Sequence, residues 1–389
     1  MQFTQRGPKL DAPDAEKPAA KSSDSQAKLD TATGPREPSN GEPAAKFQIT
    51  TSRKFASWLS EQRINLGFST YQAGKLFFLG TQPNGRLFAS SRTFERCMGL
   101  AYADDALYVA GLCQIYKFVD AARYQPVGGM YEGAYDSLFV PQVSYFTGDV
   151  DAHDLAVGKN GRLIFVNTLF NCLAEISDRH SLKPIWQPPF IDRLAAEDRC
   201  HLNGVALVDG LPRYVTAVAD TNIADGWRDH RRDGGIVIDT NENEIVLSGL
   251  SMPHTPRVRD NALWIHNSGT GYFGRVDPQK GSFEPLTFCP GYLRGLDFVG
   301  KYAVVGLSKP RKNRTFSGLA LDDNLKKHKI EARCGLYVID LETGDVVHWV
   351  RIEGMISELY DVVVLPNRRN SGAIAFRSLN VWRLRTAAT

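Results

Sequence analysis

His153-Asp154-Leu155-Ala156-Val157, Asn203-Gly204-Val205-Ala206-Leu207 and His254-Thr255-Pro256-Arg257-Val258 are copies of one short pattern, a head residue and then a short run rich in apolar residues. Three more copies flank them: Met98-Gly99-Leu100-Ala101-Tyr102, Arg294-Gly295-Leu296-Asp297-Phe298 and Tyr360-Asp361-Val362-Val363-Val364. Successive heads are 55, 50, 51, 40 and 66 residues apart. A few turn residues later comes a second apolar run, as in Ala106-Leu107-Tyr108-Val109-Ala110. A repeat of this length, made of short strands, predicts an all-β fold, a single β-propeller. Its innermost strands line a central channel. The heads therefore form a ring at one channel mouth: Met98, His153, Asn203, His254, Arg294 and Tyr360, with His201 beside Asn203.

Outward from the six copies, Thr70 to Gly80 reads as another strand-turn-strand unit, a seventh copy, and Asn84-Gly85 is a hairpin turn before Arg86-Leu87-Phe88-Ala89. About 48 residues per blade favours seven blades over six. The last copy, running through Ala373-Ile374-Ala375-Phe376 to Val381-Trp382-Arg383-Leu384, lacks an outer strand. Phe47-Gln48-Ile49-Thr50 is expected to supply it and close the ring. Phe55, Trp58 and Leu59 share one face at helical spacing, which predicts a short helix packed on the rim or across a mouth.

Residues 1–45 are Ala, Pro, Lys, Ser, Asp and Glu with almost no large apolar side chains, so a disordered tail is expected there and the propeller domain spans residues 46–389. Long insertions interrupt the repeat. Residues 123–150 carry Tyr124, Tyr131, Tyr135, Phe139, Tyr145 and Phe146, and residues 185–200 carry Ile185, Trp186 and Phe190. Both are expected to be binding walls. Residues 309–334 are charged and read as an exposed, mobile loop.

Composition narrows the function classes. Forty-six Lys and Arg against 43 Asp and Glu give a net charge of +3, with no basic stripe, so no nucleic-acid partner is expected. No apolar h-region or membrane-length apolar run occurs, so no membrane partner is expected either. The six cysteines are dispersed without a CxxC pair, which points to buried thiols in a reducing, cytoplasmic protein. No GxSxG elbow and no phosphate loop is present, which weakens covalent hydrolase and nucleotide readings.

The ring carries the chemistry. His153, His201 and His254 each precede an innermost strand on three successive repeats. Equivalent positions on adjacent blades converge, so these imidazoles are candidate ligands of one divalent metal, Zn, Mn or Fe, with Asp151 or Asp154 orienting His153. Without a metal they would be hydrogen-bonded channel residues. Arg294, Tyr360 and Glu358 are candidate catalytic residues: Arg294 to hold an anionic group, Tyr360 or Glu358 to move a proton. Asn203, Arg257, Asn267 and Arg311 are candidate substrate contacts. Polar strand ends such as Asn167-Thr168, Asn267-Ser268 and Ser308-Lys309 either line the same face or form turns.

The Tyr71-to-Lys75 start, Asn203-Gly204-Val205-Ala206 and Tyr292-Leu293-Arg294-Gly295-Leu296 together resemble a family of uncharacterised bacterial propeller proteins, over roughly residues 47–387. The resemblance implies the fold and no reaction. More distantly the repeat is similar to strictosidine synthase, gluconolactonase and NHL propellers. Of the lactonase Glu, Asn and Asp, only Asn203 has a counterpart, which argues against lactonase chemistry. The residue types at His153, His201, His254, Arg294 and Tyr360 resemble those of the peptide-amidating lyase, a propeller with a three-histidine zinc. Together these readings predict a metal-dependent lyase or hydrolase acting on a small-molecule or peptide ligand. The alternative is a non-catalytic propeller that binds a ligand or a protein.

Overall fold

In the computed structural model, which describes residues 47–123, 135–311 and 315–374, short antiparallel strands form six sheets. Each sheet is one blade. Five innermost strands are Leu100–Ala103, Ala152–Val157, Leu202–Val208, Pro253–Arg259 and Tyr292–Val299, and the sixth is Val362–Pro366. Every one begins within two residues of a head of the repeated pattern, which is why the pattern recurs: each copy is one turn into the channel.

The blade count is six. The apparent seventh copy is the middle of a blade whose innermost strand comes from the other end of the chain. Ile64–Thr70 pairs with Val362–Pro366 on one side and Lys75–Thr81 on the other, and Leu87–Thr93 completes that sheet. This shared blade closes the ring. Phe47 to Thr50 does not do so as expected: Gln48–Thr51 adds as a fifth strand beside Val346–Glu353, on the blade begun by Tyr292–Val299. The last copy continues only as Ser371–Ala373, which runs parallel to Ser137–Phe146. Its expected continuation through Val381 to Leu384, the tail at residues 1–45, and Tyr124 and Tyr131 lie outside the described residues.

Two devices set the spacing of the inner strands. The residue after the head is glycine at Gly99, Gly204 and Gly295 because neighbouring inner strands crowd there. A Cβ on Gly204 would stand 2.4 Å from Pro256, and one on Gly295, whose φ is +75°, would stand 2.6 Å from the Val362 nitrogen. A hydroxyl at the channel-mouth end of the second strand, or directly after it, then donates to the backbone carbonyl just before or at the start of the next blade's inner strand. Ser69 reaches Met98 (2.6 Å), Thr168 Leu202 (2.6 Å), Ser268 Leu293 (2.8 Å) and Ser308 Leu359 (2.8 Å). These polar strand ends bind blade to blade rather than lining the channel mouth.

Apolar side chains fill the space between blades. The helix Phe55–Gln62 buries Phe55, Trp58 and Leu59 against Val304, Leu336, Val338 and Ile352, on the rim where the first and last blades meet. Residues 315–334 are not a loose loop: Phe316, Leu319 and Leu321, the last in the helix Ala320–Lys327, pack on Trp227, Met252 and Tyr292. Cys113 is exposed and the other five cysteines are buried thiols. Among the described residues, no helix is long and apolar enough to cross a membrane.

Candidate functional site

Three imidazoles meet at the mouth. The His153 ring centre lies 4.9 Å from that of His201, nearly perpendicular, and 6.1 Å from that of His254. Each Nδ1 has an oxygen neighbour. His153 Nδ1 donates to the Asp151 carbonyl at 3.0 Å, with the Asp151 carboxylate 3.5 Å away. His201 Nδ1 lies 3.0 and 2.9 Å from the two Asp198 oxygens. His254 Nδ1 lies 3.3 Å from the Thr255 hydroxyl. No Nε2 of the three has a hydrogen-bond partner among the described residues, and that of His254 is fully buried.

The loops that deliver these side chains are strained. Asp151, Asp198, His201, Met252 and Thr255 all have left-handed backbones, with φ between 40° and 51°. For β-branched Thr255 this is costly, and its hydroxyl offsets it by accepting from Gly295 N at 3.2 Å.

Burial keeps the His153 and His254 imidazoles neutral. It holds His153 down to about 3, although Asp151 opposes the shift, and lowers His254 well below the usual range, with Arg294 adding to the effect. Burial also pushes Asp198 up against the pull of His201. Asp151 is drawn down, because His153, Arg96, His201 and Arg294 together outweigh its own burial.

A cavity of about 180 Å³ opens onto this cluster, lined by His153, His201, Asp151, Asp198, Arg294 and Tyr360, with Tyr71, Trp227 and Phe316 as aromatic walls. Trp227 stacks on His201 at 4.0 Å and donates its indole N–H to Asp198 at 2.9 Å. A larger groove of about 610 Å³, near the far ends of the inner strands by Val208 and Val258, gathers none of the ring residues.

Arg294 is 8% exposed, and its guanidinium carbon lies 4.6 Å from the Tyr360 ring centre and 5.4 Å from that of Tyr292. It forms no ion pair with Asp297, Asp361 or Glu358 among the described residues. Tyr360 is buried and its hydroxyl has no partner there. Burial raises it well above its ordinary value, outweighing Arg294, so the phenol stays protonated and can donate a hydrogen bond rather than act as the base that a cation-lowered phenol would be.

Other expected site residues are committed elsewhere. Glu358 forms a two-point ion pair with Arg311, Nη2 to Oε2 at 2.6 Å, so it is neither a free base nor a fourth ligand. Arg311 does reach the cavity, packed 4.8 Å from the Tyr71 ring. Arg257 is bound through both Nη atoms to Asp154, at 2.8 and 2.9 Å, further along the channel. That pair removes Arg257 from the substrate contacts and Asp154 from His153. Asn203 donates to the Pro253 carbonyl and Asn267 accepts from Ser251 N, both as backbone ties. Of the expected walls, Trp186 bonds Asn243 and Tyr135 packs on Phe88, outside the cavity. Asp198, Trp227 and Tyr71 were not among the expected site residues. Only the proximity of Asp198 to His201 in sequence marks any of them.

Two imidazoles sharing an ion at about 2.0–2.1 Å from each nitrogen have ring centres roughly 5 Å apart. His153 and His201 meet that spacing, and His254 stands about an ångström beyond it. Accordingly, among the described residues no three His, Cys, Asp or Glu side chains are gathered as a ready-made metal cage.

Comparison with known proteins returns a family and no reaction. Residues 53–374 match the family described as Domain of unknown function (DUF4915). No curated protein matches the sequence. Among solved structures, a chain of the nidogen–laminin complex is 12% identical with a TM-score of 0.48, over 78% of this chain and 99% of that one. A protein of unknown function from Bacteroides caccae is 11% identical with a TM-score of 0.45, over 78% and 98%. Virginiamycin B lyase from Staphylococcus aureus is 10% identical with a TM-score of 0.36, over 80% and 100%.

Proposed function

The chain belongs to the DUF4915 family, which brings no reaction with it, and from that premise we propose that the channel mouth is a metal-dependent lyase or hydrolase site for a small polar or peptide-derived substrate. One divalent ion, Zn, Mn or Fe, is held by His153, His201 and His254. The observation that carries this reading is the shared state of the three imidazoles, each with Nδ1 against an oxygen and Nε2 unspent. A carbonyl or carboxylate oxygen on Nδ1, as at His153 and His201, fixes the tautomer a metal needs and raises the basicity of the other nitrogen. Behind the histidines, Asp151 and Asp198 add two carboxyl groups whose charge a divalent ion would balance.

A bound ion would supply a Lewis acid and an acidified water at neutral pH. The chain's own groups do the rest. Arg294 holds an anionic part of the substrate, the Tyr360 hydroxyl donates a proton or hydrogen bond to a developing negative charge, and Tyr71, Trp227 and Phe316 shield the cavity from water. Free thiols support a reducing, cytoplasmic setting.

Calorimetric titration of untagged, metal-stripped protein with Zn²⁺ tests this. We expect one site, weakened more than tenfold by His153→Ala and by His201→Ala. No saturable site, or one that both variants leave unchanged, removes the reading. A second reading, metal-free catalysis with His201 as base, is favoured by the Asp198 carboxylate on its Nδ1. Activity on any identified substrate that survives exhaustive chelation would select it.

A further inference from the structure

Resting on the reading of this mouth as a substrate site, we propose that Arg294, Tyr360 and Tyr292 form a subsite for a carboxylate, so that the ligand class is small free carboxylic acids. Arg294 is more than nine-tenths buried, faces the cavity, and is paired with no carboxylate among the described residues. A buried guanidinium left so is costly unless a ligand completes it. Beside it stand two more unpaired donors, the buried hydroxyls of Tyr360 and Tyr292.

Both hydroxyls can donate alongside the guanidinium. The three are supplied by the start of one inner strand and the approach to the next, so the blades hold them rigidly. Charge selects among anions. The other two arginines at the cavity are paired, Arg311 with Glu358 and Arg228 with Asp225. Asp151 and Asp198 already line the cavity, so a monoanion suits its charge better than a dianion, and the planar fork of an arginine matches the two oxygens of a carboxylate. A phosphate dianion would bring a second charge that neither paired arginine is free to meet. The cavity of about 180 Å³ holds roughly six water volumes, which limits the acid to a few carbons or a single ring.

The test uses the full chain and three probes, lactate, glycolate and benzoate, each titrated by calorimetry beside its methyl ester, with inorganic phosphate and sulfate in parallel. We expect saturable binding of at least one acid, at least tenfold weaker binding of its ester and of both inorganic anions, and a loss of at least tenfold in Arg294→Gln that Arg294→Lys partly restores. Binding of ester and acid alike, tighter binding of phosphate, or no saturable binding of any acid overturns the proposal. The ester comparison needs only the wild-type protein, so it stands even where a variant misfolds. Zinc titration of the same sample separates the two claims: acid binding without zinc binding leaves the subsite and removes the metal.

Discussion

Single residues decide whether the channel mouth is a site or only polar lining. The ring heads were legible in the sequence because they share one place in the repeat, and His153, His254, Arg294 and Tyr360 do meet at the mouth, with His201 from the adjoining loop. What orients them was not legible. Asp198, in a loop, and Trp227, at the start of a short helix, lie 29 residues apart, and only the folded blades bring the indole N–H to the carboxyl group. Asn203 and Arg257 look equally suited to a substrate from their types alone. Their commitment to Pro253 and Asp154 is a tertiary fact. Asp198→Asn should keep the fold yet lower zinc affinity about 10–100-fold, since it takes the carboxyl acceptor from behind His201. Circular dichroism together with zinc titration checks both halves, and unchanged affinity would mean that Asp198 has no part in the site.

At the scale of elements, the repeat located every inner strand but misjudged the closure. Tyr71 to Gly80 looks like an independent copy because the second and third strands of a blade carry the same apolar alternation as the first and second. Sequence order hides that their inner partner, Val362–Pro366, lies nearly 300 residues away. Polar strand ends were ambiguous for a related reason: a serine at a strand end reads the same whether it faces a ligand or a neighbouring carbonyl. The four blade-to-blade hydroxyl bonds resolve this. Thr168→Ala and Ser308→Ala should each lose about 1–3 kcal/mol, the cost of a buried carbonyl left without its donor. Urea unfolding measures it, and a loss indistinguishable from zero in both would show that glycine spacing alone sets the blade contacts.

For the whole molecule, ring closure places a buried carboxyl, Asp361, beside Asp154 on the channel axis. Its oxygens accept from Leu100 N at 2.7 Å and Val362 N at 2.8 Å. Burial, and then the nearby Asp154, push Asp361 up to about 8 from an ordinary value near 4. The folded chain therefore keeps a proton that the unfolded chain releases. This contribution to stability is complete below about pH 4 and is lost as pH rises towards 8. Asp361→Asn should flatten that part of the pH–stability curve. Urea midpoints from pH 5 to 8 that fall equally steeply in both proteins would place the proton elsewhere.

The ring of histidines at the mouth is the centre of the account, and crystals grown with Zn²⁺ and measured on both sides of the zinc absorption edge test it most directly. The account predicts one strong anomalous peak at the mouth, about 2.0–2.1 Å from the Nε2 atoms of His153, His201 and His254. An anomalous map with no peak there, in crystals that carry zinc elsewhere or not at all, would contradict it.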